Sequence, residues 1–330
     1  MKKMFLGLFA LFIMTSCSTE SNDAVNVGKE TPEVPGEVVT TPFVEGKMVM
    51  SIYTKGINVG GLLDKIDYSK GDVYGQFQTL MTNLPKDENP FLAWGYLFDK
   101  KPMAAFALMM SMTKADYYVK NSTVLAKAKG ATWQMDHFHS EDQDQASVYL
   151  KAMAPATDMP VENQTAYAIY TPSKGETYTE GSTIDYKEFN RRKLDKVAYV
   201  SNYACDVIEY TRIKAPSDPN NEFSFGYNKL LVYTSPLFDK TINFTHSTYL
   251  PEDGGILKIE MYVDGIEEPF MVFQPEKVEV KTIADSELET RVSTPVYAID
   301  DLEFSAKVLG IMFAPTDEQT EEPFLASKSL

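Results

Sequence analysis

The chain has 330 residues, of which 44% are hydrophobic, and 47 acidic against 31 basic side chains give it a net charge of -16. That composition can build a sizeable core, while a surface of that sign repels phosphate backbones; the run Arg191-Arg192-Lys193 is too short to offset it, so nucleic acid is excluded as a partner. Three histidines and two cysteines leave little material for zinc, iron-sulfur or haem ligation, and no cofactor is expected.

The N-terminus reads as a secretion signal. Lys2 and Lys3 give a positive start, residues 5–14 are apolar, and Thr15-Ser16-Cys17 are small. The apolar stretch is too short to span a bilayer. Met14-Thr15-Ser16-Cys17 resembles the bacterial lipobox, with Met in place of the usual Leu. Residues 1–16 are therefore expected to form a cleaved lipoprotein signal peptide, with Cys17 the acylated first residue of the mature chain. Each buried acyl CH₂ contributes about 0.8 kcal/mol, so such an anchor is close to permanent and makes the membrane a partner. The expected location is the outer membrane. Glu20 and Asp23 are similar to, but sparser than, the acidic signal that sends lipoproteins of the Bacteroidetes to the cell exterior, and both orientations stay open. With Cys17 acylated, Cys205 has no disulfide partner in the chain. Residues 17–45 are rich in Ser, Thr, Glu, Val and Pro without a hydrophobic period, and are expected to be a flexible tether.

A single domain is expected over residues 46–313. Its dominant signal is period-two alternation, which predicts strands with one buried face. The clearest cases are Leu257, Ile259, Met261 and Val263, and Val278 and Val280 against Lys277, Glu279 and Lys281. Similar runs cover 47–54, 116–128, 131–140, 146–153, 165–171, 196–213, 228–234 and 240–249, with weaker ones at 269–274 and 294–299. Lys120-Asn121, Asp253-Gly254-Gly255 and Asp264-Gly265 supply turns. Between 56 and 113 the spacing changes: Leu62, Leu63, Ile66, Tyr74, Phe77, Leu80, Met81 and Leu84 recur at three and four residues, and Pro102 to Met112 repeats that spacing behind an N1-type proline. The fold class predicted is α+β and β-rich, a large curved antiparallel sheet with two or three helices against its concave side. Residues 314–330 are expected to be an irregular acidic tail.

The segments Gly46-Lys47-Met48-Val49-Met50-Ser51, Asp116-Tyr117-Tyr118-Val119-Lys120-Asn121 and Val197 to Asp206, with the closing stretch Pro269 to Ala298, resemble an uncharacterised bacterial family of secreted or lipid-anchored proteins with a LolA-like lipoprotein-carrier shape. The resemblance covers about two-thirds of the chain, and the helical stretch 56–113 is longer than the family has there. It implies an open half-barrel with helices plugging the concave side, a geometry that in the carrier relatives holds acyl chains. It brings no catalytic residues.

Among the side chains, His137 and His139 share a strand face with Trp133 and Met135, while Asp136 points the other way. A metal there would need a third ligand such as His246 or Asp136. An ordinary strand face is the expectation, with no metal. The acidic run from Ser140 to Gln145 lacks EF-hand spacing and reads as a hairpin turn. Gly56-Ile57-Asn58-Val59-Gly60-Gly61 departs from the phosphate-cradling patterns and reads as a turn. Cys205 alternates with Tyr203 and Val207 and reads as a buried small hydrophobe. No nucleophile elbow, His-Glu-x-x-His or Cys-x-x-Cys occurs, and no enzymatic activity is expected. The 16 Met, 19 Phe and 19 Tyr are the most informative feature, because methionine adapts to ligands of variable shape. Met103, Phe106, Met109 and Met110 are the ligand-lining candidates. The leading functional expectation is a non-catalytic, membrane-anchored protein that binds a lipid or another lipoprotein's acyl group; the alternative is an interaction or scaffold module without a small ligand.

Overall fold

The computed structural model describes residues 36–84, 112–178, 184–213, 227–246, 248–263 and 266–317. Thirteen strands follow in chain order: β1 (Glu45–Thr54), β2 (Ile57–Asn58), β3 (Lys114–Lys120), β4 (Thr123–Lys129), β5 (Trp133–Ser140), β6 (Gln145–Ala152), β7 (Thr165–Tyr170), β8 (Phe189–Val200), β9 (Tyr203–Arg212), β10 (Tyr227–Ser235), β11 (Gly255–Val263), β12 (Met271–Val280) and β13 (Tyr297–Ala298). Two α-helices are described, α1 (Val73–Thr82) and α2 (Leu302–Met312).

The strands form one curved, unclosed sheet in the order β13-β7-β6-β5-β4-β3-β1-β12-β11-β10-β9-β8, with β2 paired to β1. β1 sits in the middle. One antiparallel meander runs from β3 to β7 on its left, another from β12 back to β8 on its right, and only β13 joins in parallel. Alternation makes both arms amphipathic. Met48, Met50 and Ile52 of β1 face the same way as Ala115, Tyr117 and Val119 of β3, and all are buried, while Lys47 and Asp116 point outward and pair at 2.8 Å.

The sheet's inner side is covered by helix α2, which packs on β6 and β7, and by a 3-10 segment, Lys240–Thr245, which packs on β4, β5 and β11. Helix α2 has no counterpart among the sequence expectations, although its sequence explains it. Asp301 caps it by accepting a hydrogen bond from the Glu303 amide at 2.8 Å, and Phe304, Val308 and Ile311 fall on one face, each fully buried. Burial of each contributes about 1.5–3 kcal/mol. Helix α1, expected from its spacing, buries Val73, Phe77 and Met81, and 3-10 turns at Gly60–Lys65 and Tyr68–Lys70 precede it. The second expected helix, Pro102 to Met112, lies outside the described residues except for Met112, which is buried.

Several expected strands need correction. The run 240–249 is not a strand: Asp239 starts a 3-10 turn by accepting from the Thr241 amide, and the Asn243 side chain ties that turn to the neighbouring chain by donating to the Glu252 and Gly254 carbonyls and accepting from the Ile256 amide. The run 196–213 is a hairpin whose turn residues Ser201 and Asn202 both have positive φ, 50° and 67°, as a twisted two-residue loop requires. Likewise 116–128 is two strands, turning at Asn121. Conversely, the alternations at 271–274 and 277–280 belong to one strand, β12, where Pro275 cannot donate to the ladder and a bulge against Val49 and Met50 absorbs the irregularity.

The domain's ends differ from their expected limits. Residues 36–44, placed in the tether, run along the sheet: the Val39 amide donates to Asn202, the Phe43 amide to Leu237, and the buried Phe43 ring stacks on Phe238 at 4.7 Å. At the other end residues 314–317 are tied down. Ala314 is buried, the Pro315 carbonyl accepts from Ala156, and the Asp317 carboxylate accepts from the Thr157 amide and hydroxyl. Residues 318–330 and the signal and anchor region lie outside the described residues.

Candidate functional site

Cys17, Met103, Phe106, Met109 and Met110 all lie outside the described residues. Two features among the described residues carry chemistry, one on each face of the sheet.

On the inner face, β5 presents Trp133, Met135, His137 and His139 in a row, each buried. His137 Nε2 lies 2.8 Å from the Tyr170 hydroxyl of β7, and its ring meets Tyr178 edge-on at 5.5 Å. His139 lies flat on Phe244, with centroids 4.2 Å apart and planes 6° apart. Phe244 stacks in turn on Tyr249, which meets Tyr186. Phe244, Tyr249 and Tyr186 are half-buried, so an aromatic chain leads from the surface to His139. Burial pushes the His137 imidazole down to about 3, with the neighbouring His139 adding to the effect. Burial likewise pushes His139 down to about 4, against opposing pulls from Asp144 and Asp239. Both rings are therefore neutral at pH 7.

His246, the third ligand that a metal would need, is engaged elsewhere. Its Nδ1 is 2.8 Å from the Tyr117 hydroxyl and its Nε2 is 3.0 Å from the Ile256 carbonyl. Asp136 points to the outer face, and among the described residues no group of three or more His, Cys, Asp or Glu is placed to hold a metal ion. Around this row the wall is rich in methionine: Met48, Met50, Met81, Met112, Met135, Met261, Met271 and Met312 belong to the same buried cluster. Cys205 is buried, and burial pushes its thiol up to about 12, which leaves it unreactive.

On the outer face lies a groove of about 760 Å³, lined by Asp64, Lys114, Asp116, Lys127, Lys129, Asp136, Glu276, Glu289 and Arg291, among others. Its floor is the outward set of β1, β3, β4, β5 and β12, and its walls come from the turn at Asp64 and the segment at 289–291. Lys114 bridges Asp64 at 2.7 Å and Glu276 at 3.0 Å, and Lys129 reaches Asp64 at 2.5 Å. Arg291 grips the buried Asp136 through Nε and Nη2, each at 2.7 Å, and stacks on Tyr149. Burial pushes Asp64 and Glu276 up, but the hydrogen bonds and charge of Lys114, with Lys129 at Asp64 and Asn58 at Glu276, outweigh it and hold both below the usual carboxylate range. Sequence reasoning missed this groove. Alternation marks its strand residues as outward, but Asp64 arrives on the 3-10 segment Gly60–Lys65 and Arg291 on a loop, and nothing in the sequence brings either to these strands.

Of the turns expected at 56–61 and 140–145, the second is one, over residues 141–144, whereas the first turns only at Lys55 and Gly56 and then holds strand β2 and the start of the 3-10 segment Gly60–Lys65. Asp144 closes the second by accepting from the Ser173 amide and hydroxyl.

No family model matches the chain, and no curated protein does. Among solved structures it is similar to an uncharacterised conserved protein from Thermus thermophilus, at 8% identity and a TM-score of 0.29 over 58% of this chain and 84% of the other. PNGF-II shares 10% identity at a TM-score of 0.30 over 60% of this chain, which spans 32% of PNGF-II. A LolA superfamily protein from Nitrosomonas europaea shares 8% identity over 76% of this chain and 91% of its own, at a TM-score of 0.18. Likeness of this size assigns the chain to no family.

Proposed function

We propose that this protein is a non-catalytic bacterial lipoprotein, held to the outer membrane through acylated Cys17, whose half-barrel accepts the apolar body of a lipid against the inner face of its sheet. The observation that supports it best is the methionine-rich inner wall, where Met48, Met50, Met135 and Met271 line strands and Met81, Met112 and Met312 cover them. Thioethers repack around a guest at low cost, which rigid branched side chains do not. The outer groove favours a binding role over acid catalysis. Asp64 and Glu276 are held ionised, whereas a general acid needs a raised carboxyl.

One observation favours a second reading, an interaction module without a small ligand: the groove of about 760 Å³ lies on the outer, charged face and not beneath the helices. Organic extraction of the full chain followed by mass spectrometry separates the two. Stoichiometric acyl lipid supports the first reading. A folded protein that carries none, and takes up none from vesicles, supports the second.

A further inference from the structure

The inner face holds polar atoms that the packing leaves without partners. His139 Nδ1 and Nε2 and His137 Nδ1 are buried and have no hydrogen-bond partner among the described residues. Such atoms cost stability, and an aligned pair of them on one strand calls for a physical reason. The two rings are two residues apart on one strand face, about 7 Å at 3.3–3.4 Å per residue, so a head group with more than one polar atom can serve both. Trp133 Nε1 is also unpartnered, but it sits six residues along the strand, about 20 Å from His139, and is not part of this cluster.

The chemistry of an occupant follows from the atoms. A neutral imidazole carries one donor and one acceptor nitrogen, so His139 offers both kinds at once. Among the described residues neither ring has a lysine or arginine as ion-pair or stacking partner, and the charged groups that bear on His139 are the acidic Asp144 and Asp239. A phosphate or carboxylate would enter with no counter-charge. A metal would find no third ligand among the described residues. What fits is an uncharged group that both gives and takes a hydrogen bond, as a hydroxyl does. The ring over His139 belongs to Phe244, which sits on a 3-10 segment and is half-buried, at the inner end of the chain Tyr186, Tyr249, Phe244.

We infer that His139 and His137 form the head-group site of the half-barrel, that Phe244 covers it, and that the ligand is a neutral, hydroxyl-bearing acyl lipid of the acylglycerol class. This rests on the proposed lipid reading and narrows it: the apolar body lies along the methionine wall, and the hydroxyls of the head group supply the missing partners of His139.

The test titrates the full chain at pH 8 with radiolabelled 1-oleoylglycerol, oleate and methyl oleate, beside His139→Phe and His139→Gln. In the parent, 1-oleoylglycerol binds at least about 10-fold tighter than the anionic oleate or the acceptor-only methyl oleate, a difference of about 1.4 kcal/mol. His139→Phe keeps the ring but not its nitrogens, so it loses that preference while its melting temperature without lipid rises by about 3–6 °C. His139→Gln, which retains a donor and an acceptor, keeps part of the preference. Unchanged selectivity in His139→Phe, or a phenylalanine variant that unfolds, overturns the head-group site and leaves the lipid reading standing if the parent binds any of the three probes. A folded parent that binds none of them overturns both.

Discussion

Lowering the pH from 8 to 5 should weaken this fold by about 6 kcal/mol, almost all of it through three side chains. His137, His139 and His246 are buried, and burial holds them at about 3, 4 and 4 against an ordinary value near 6.5. In the folded protein they stay neutral at pH 5; in the unfolded chain they are protonated. Unfolding then takes up protons, so the stability present above pH 6.5 is lost as the pH falls below it. At pH 5 each histidine is 1.5 units below its unfolded value, which is about 2 kcal/mol. The surroundings offer the charged form little relief. His137 faces Tyr170, Tyr178 and His139; His246 faces Tyr117, Phe273 and the Ile256 carbonyl; only His139 is near acids, Asp144 and Asp239, and they do not overcome burial. Asp64 and Glu276, held low by lysines, titrate below this window and do not confuse it.

Against a typical total stability of about 5–15 kcal/mol, a loss of that size is readily measured. Urea unfolding of the full chain at pH 8, 7, 6 and 5 should give a free energy that is flat above pH 7. Below pH 6 its slope should approach about 4 kcal/mol per pH unit, the limit for three protons. In His139→Phe the limiting slope should fall by about a third. A difference between pH 8 and pH 5 of less than about 2 kcal/mol, or a slope that the His139 substitution leaves unchanged, would refute the reasoning.

Three further outcomes follow from single residues. Glu252, buried to 2% side-chain exposure, accepts from Arg191 at 2.8 and 2.7 Å and from Tyr210 at 2.5 Å, so Glu252→Ala strands the Tyr210 hydroxyl and should cost about 1–3 kcal/mol in urea unfolding; a change under 0.5 kcal/mol, roughly the size of a neutral surface substitution, would contradict it. At Gly60 a Cβ would come within 2.3 Å of Ser51 Oγ and 2.7 Å of the Thr113 carbonyl, so Gly60→Ala should lower stability by about 1–3 kcal/mol, read as a drop in melting temperature. Cys17→Ser should reduce incorporation of a fatty-acid probe to background while circular dichroism stays that of the parent, and retained label would remove the lipobox assignment.

The sheet was largely legible because its signal is local and repeated. A strand with one buried face writes its alternation into five or more consecutive residues, as β1 and β11 do with Met48, Met50 and Ile52 and with Leu257, Ile259 and Met261. The failures came where side chains compete with the ladder. From Ile242 through Phe244 to His246 the alternation is as good as in a true strand, yet Asp239 captures the Thr241 amide, Asn243 anchors the segment to the backbone of residues 254 and 256, and the segment coils over the sheet. Helix α2 was legible in principle, from Asp301 and the spacing of Phe304, Val308 and Ile311.

The functional features were harder for a different reason: each is made by long-range pairing. Nothing near Asp136 in sequence announces Arg291, 155 residues away, and nothing near His139 announces Phe244. The alternation of β5 does establish that His137 and His139 share a face with Trp133 and Met135, but whether imidazoles on such a face are satisfied depends on what lands on them. His246 shows the satisfied case, with Tyr117 and Ile256 taking both of its nitrogens. His139 was given a phenyl ring instead, which packs well and bonds nothing. Two histidines with the same burial thus differ in the one property that bears on function, and the difference lies in the covering segment that carries both Phe244 and His246. That segment is also the one whose alternation misleads. Asp239 starts the 3-10 turn that carries Phe244 over His139, and Asn243 ties that turn to residues 252–256, so the misread element and the candidate site lie in one segment.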